Sequence, residues 1–173
     1  MSTRNAIAAV TAVAALAVPA AAQAHVTVNP RTVTSGSYSV LAVRVPNHEA
    51  KRSTVKVKVT FPAGFYSAFY EPNASWKVKI AMRKLATPVQ GEDGPITKEV
   101  GSMTWTGSGK GLGLVRPHQF REFRVSSQIP TGLAAGTKLT FPAIQYFNNG
   151  TRTNWTGLPD TDTPAPQVTI VAG

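Results

Sequence analysis

The chain contains no cysteine and only three methionines among its 173 residues. No disulfide can brace the fold, and thiolate-based zinc, iron–sulfur and redox sites are excluded. The soft ligands that favour Cu(I) are missing as well, because Met1, Met82 and Met103 are scattered along the chain. Acid is scarce: 8 Asp and Glu stand against 18 Lys and Arg, giving a formal charge of +10. No Gly-x-Ser-x-Gly elbow is present, and three histidines leave few base and nucleophile pairings for a hydrolase. The glycine-rich run Gly107-Ser-Gly-Lys-Gly-Leu-Gly113 lacks the Gly-Lys-Ser/Thr ending of a phosphate loop. Asp160 and Asp162 lack the loop length and the glutamate of a calcium site.

The one long apolar run, Ala6 to Val18, falls short of the roughly 20 residues that span a bilayer. With Arg4 before it, Pro19 at its end and Ala22-Gln23-Ala24 behind, it reads as an export signal over residues 1–24. Val168 to Gly173 is too short to cross a membrane, so no transmembrane anchor is expected and the product is expected to be periplasmic or secreted. Removing 24 of 173 residues leaves 149, which suits one domain over residues 25–173. The charge then falls by one, to +9, as Arg4 leaves. Its cations are dispersed, and export without a recognisable module argues against nucleic acid as a partner. Contact with acidic envelope polymers or anionic lipid is the weaker alternative.

The remaining sequence reads as β throughout. Val55, Val57, Val59 and Phe61 alternate with Lys56, Lys58 and Thr60, the period of a strand with one wet face. Further strands are expected at Val26–Asn29, Tyr38–Val45, Trp76–Leu85, Ser102–Thr106, Gln119–Val125, Lys138–Phe147 and Gln167–Val171. Thr87 to Val100, rich in proline, glycine and Asp93, is expected to be a hairpin loop. Short strands with turn residues between them, and no helical pattern, predict an all-β antiparallel β-sandwich of immunoglobulin or cupredoxin type.

Cleavage after Ala24 would leave His25 at a free amino terminus. Its Nδ1 and its α-amine can then close a chelate ring on a single ion, a nitrogen pair that suits Cu(II). In the uncut chain the same nitrogen belongs to a peptide and is a far poorer ligand.

The chain resembles the YcnI-like copper-binding domain family of bacterial exported proteins. The resemblance spans the whole sequence from His25 onward. It rests on His25-Val26-Thr27-Val28 with Pro30 behind it, Arg44-Val45-Pro46-Asn47, Phe61-Pro62 and Phe120-Arg121-Glu122-Phe123. It continues in Leu139-Thr140-Phe141-Pro142-Ala143-Ile144-Gln145, Asn154-Trp155-Thr156-Gly157 and Pro164-Ala165-Pro166. It implies a β-sandwich that binds one Cu(II) through a monohistidine brace and acts as a copper chaperone or homeostasis factor rather than an enzyme. Its partners would then be copper and other copper-trafficking proteins of the envelope. Carried onto this chain, the brace falls on His25, a carboxylate ligand on Glu122, and a nearby tryptophan on Trp155 as a weak contact. The chain departs from the family in having Pro117-His118-Gln119-Phe120 where Pro-Gly-Glu-Phe is usual. It also has His48 where an acidic residue tends to follow Val-Pro-Asn.

Competing readings remain for each residue. Glu122 shares a strand face with Arg124 and could simply pair with it. Trp155 could be packed as core, the usual fate of an indole, as is expected for Trp76 and Trp105. His118 or His48 could add a second imidazole and give a copper-dependent oxidative enzyme; of the two, His118 is nearer Glu122 in sequence. A copper-independent envelope interaction module is the third class.

Overall fold

The computed structural model describes residues 25–173. The leader predicted over residues 1–24 lies outside the described residues. Twelve strands and one short 3-10 turn at Gly111–Gly113 make up the regular structure. In chain order the strands are β1 Thr27–Asn29, β2 Thr32–Thr34, β3 Tyr38–Asn47, β4 Thr54–Thr60, β5 Phe69–Tyr70 and β6 Trp76–Gly91. They continue as β7 Gly94–Gly107, β8 Gln119–Gln128, β9 Lys138–Thr140, β10 Ala143–Phe147, β11 Arg152–Trp155 and β12 Gln167–Val171. One sheet has the order β1-β3-β8-β5, a second β11-β10-β4-β7-β6, and a smaller third β2-β12-β9. Every ladder is antiparallel except the β2–β12 pair.

The predicted sandwich is therefore what the chain forms, and the strand alternation explains it. Val57 and Val59 of β4, Met103 and Trp105 of β7, and Phe123 and Val125 of β8 turn inward and are almost fully buried. They join inward residues of the small sheet, such as Val33, Val168 and Ile170, in one hydrophobic cluster. Phe61, Phe65 and Phe141 meet edge to face within it, with ring centroids 5.5–5.7 Å apart. Trp76 and Trp105 are core residues as expected, both packed on Phe123.

Two local expectations are corrected. Residues 87–100 are not a loop: β6 and β7 run on as a two-stranded ribbon to a two-residue turn, Glu92-Asp93, closed by the Gly91–Gly94 pair. Gly94 has φ 119°, which favours glycine. Pro88 fits because β6 is an edge strand and the register shifts between Lys84 and Val89. Nor is Lys138–Phe147 one strand. It breaks at Pro142, so that β9 pairs with β12 and β10 pairs with β4. The chain thus crosses from the small sheet to the five-stranded one at this point, which brings β10 and β11 to its edge.

Candidate metal centre

The site builds from the two ends of neighbouring ladders. β1 pairs with β3 in the register Thr27–Arg44, Val28–Val43 and Asn29–Ala42. Carried two residues further, that register sets His25 against Pro46, just before the β3 end at Asn47. From the other layer, β11 ends at Trp155, whose side chain turns inward and is buried. The His25 and Trp155 rings lie 5.9 Å apart, inclined by 58°. His48, one residue past β3, meets the same indole edge-on at 6.3 Å. Two imidazoles thus contact one tryptophan at this end of the sandwich.

The indole is fixed by a buried glutamine. Trp155 Nε1–H donates to Gln145 Oε1 at 3.1 Å. The amide nitrogen of Gln145 in turn donates to the Pro46 carbonyl at 3.0 Å and to the Thr54 hydroxyl at 2.7 Å. The His48 segment is held by Asn47, also buried, whose amide donates to the carbonyls of Arg52 at 2.7 Å and Val115 at 2.8 Å. The Asn47 side-chain oxygen accepts the Glu49 N–H at 3.0 Å. Glu49 itself pairs with Arg52. Asn47 and Gln145 fall within the motifs of the family resemblance, but neither they nor Thr54 were expected to hold the site. The available signal was Gln145 in the inward register of a strand otherwise apolar on that face.

His25 Nε2 is buried and has no hydrogen-bond partner among the described residues. A buried ring nitrogen without a partner is rare; a chelate through Nδ1 and the α-amine would not use this nitrogen. His25 also lines an open cavity of about 210 Å³ with Arg31, Pro159, Pro164 and Gln167.

Glu122 faces outward from β8, opposite Arg44 in the β3–β8 register, and Arg44 is in turn opposite Thr27 of β1. Its Oε1 accepts from Arg44 Nε at 3.1 Å and from the terminal guanidinium nitrogen at 3.0 Å. Its ion partner is thus Arg44 and not Arg124, which pairs with Glu71 at 3.3 Å. His118 shares an open cleft with Glu122 and Phe120. It has φ 61°, and its N–H donates to the Asn47 carbonyl at 2.8 Å. The structure therefore brings together His25, His48 and Trp155, while Glu122 and His118 line an open cleft with Phe120. Among the described residues no three His, Asp or Glu side chains converge on one point.

The fold and this site define a class: an immunoglobulin-like β-sandwich with a histidine-and-tryptophan end. The chain belongs to the DUF1775 family, a domain of unknown function, whose model matches residues 25–170, beginning at the histidine of the site. It is similar to the copper-binding protein CutI of Bacillus subtilis (strain 168), with 31% identity over 145 residues. That match covers 84% of this chain and 61% of the relative, so the chain spans under two thirds of that protein's length. A crystal structure of an uncharacterized protein from Nocardia farcinica with an immunoglobulin-like fold is 27% identical. It superposes with a TM-score of 0.66, covering 86% of this chain and 99% of that one. Among the described residues no helix is long and apolar enough to cross a membrane.

Proposed function

We propose that this is an exported Cu(II)-binding protein that carries or buffers copper, and that it grips the ion with the imidazole and α-amine of a processed His25. The observation that carries this reading is the packing of His25 against Trp155 at the point where the family match begins. Similarity to a copper-binding relative supports the choice of metal. Copper is cargo here. Cu(II) suits two nitrogen donors in a tetragonal set better than the other divalent ions do. Trp155 covers the site as an apolar wall, since its own nitrogen is committed to Gln145.

The family resemblance assigns a carboxylate ligand to Glu122. To serve, Glu122 would have to exchange Arg44 for the ion and cross from its outward position on β8. A second reading is favoured by one observation: His48 touches the indole that His25 touches. On this reading His48 supplies the third donor, and the site has two imidazoles without being an enzyme. Electron paramagnetic resonance of the loaded, processed protein tests both readings together. Nitrogen couplings lost in His25→Ala support the brace; a copper signal unchanged in that variant refutes it.

A further inference from the structure

We propose that the outer face of the five-stranded sheet docks on an anionic lipid bilayer. Two rows of solvent-facing side chains cross all five strands in register. One runs Arg152, Tyr146, Lys56, Thr106, Lys77, and the next Asn154, Ile144, Lys58, Thr104, Lys79. Neighbouring strands lie about 4.8 Å apart, so each row is roughly 19 Å long. Five cations stand in this plate and no acid does. Lys56 Nζ sits 4.1 Å above the Tyr146 ring, which holds its charge over the face.

Edge protection does not account for this pattern. Lysines on an edge strand discourage strand addition, and that covers Lys77 and Lys79 on β6. Lys56 and Lys58 stand on β4, the middle strand, where no edge needs guarding. The acids are placed elsewhere. Glu122 and Glu71 neutralise Arg44 and Arg124 on the opposite sheet, and Glu49 and Glu99 pair with Arg52 and Arg83. The result is one face with uncompensated charge on a protein whose other sheet is ion-paired. A broad plate of cations spread over five strands matches a plane of headgroup phosphates better than a single polymer strand. Charge complementarity therefore favours lipid.

Metal-free processed protein should co-sediment with vesicles of equal parts phosphatidylglycerol and phosphatidylcholine, and not with phosphatidylcholine alone. Each cation near an anionic surface is worth roughly fivefold in partitioning. Replacing Lys56, Lys58, Lys77 and Lys79 by Gln should lower binding by on the order of several hundredfold. The matched variant, with Lys51, Lys84, Lys110 and Lys138 replaced by Gln, removes the same charge away from the plate and should keep most of the binding. Equal losses in the two variants would mean that net charge alone is at work and would overturn the proposal. So would tighter binding of soluble polyphosphate than of vesicles at equal phosphate. If the fourfold variant melts early, the pairs Lys56→Gln with Lys58→Gln and Lys77→Gln with Lys79→Gln make the same comparison. Copper is absent from every arm, so the outcome is independent of the metal site.

Discussion

Gln145 and Trp155 are joined side chain to side chain across the β10–β11 pair, with the indole N–H donating to the amide oxygen at 3.1 Å. One residue thus links the tryptophan of the site to Pro46 on β3 and Thr54 on β4. Replacing Gln145 by Leu keeps the volume but strands a buried N–H and two acceptors. Each such group costs about 1–3 kcal/mol, and denaturant unfolding should register at least one of them. Trp155→Phe should cost about as much as one. It should also remove most of the copper-induced loss of tryptophan emission, because the remaining Trp76 and Trp105 pack on Phe123, away from His25.

The third donor separates by substitution. On the arrangement around the indole, His48→Ala should weaken Cu(II) binding about tenfold or more by isothermal titration, one lost ligand being worth on the order of 1.4 kcal/mol or above. Glu122→Gln should change it less than threefold, because that carboxylate is already held by Arg44. The reverse pattern would return the role to Glu122.

Affinity should fall as pH falls. Imidazole and amine nitrogens bind a metal only when free of the competing proton, so acid competes with the ion. Competition titrations at several pH values should show proton release on binding, and a pH-independent affinity between 7 and 5 would argue against nitrogen ligands.

Glu99 offers a test of the fold away from the site. It is buried, pairs with Arg83 at 2.7 Å and accepts the Gly64 N–H at 2.6 Å. Glu99→Ala leaves that N–H without a partner and should cost about 1–3 kcal/mol, read as an earlier denaturant midpoint, with copper binding unchanged.

The sandwich was legible because its strands alternate: Val55 to Phe61 states its two faces plainly, and the core lies where those faces point. The β6–β7 ribbon was not, because Pro88, Gly91, Gly94 and Pro95 carry loop chemistry, and edge pairing with a shifted register overrides it. The short strands β2 and β5 carry too few residues to show a period. At the site, His25 and Trp155 could be named because both lie within motifs of the family pattern. The proximity of His48 could not, because it depends on where β3 ends relative to β11. Sequence distance made His118 the nearer rival to Glu122, and the two do share a cleft, but that cleft is not where His25 lies.

The most direct measurement compares Cu(II) affinity of the protein beginning at His25 with that of the same protein carrying one alanine before it. The added residue leaves the imidazole, His48 and Trp155 in place and converts the chelating amine of His25 into a peptide nitrogen. The account predicts a loss of a hundredfold or more, with altered nitrogen couplings in the resonance spectrum. Equal affinity and an identical spectrum in the two proteins would contradict it.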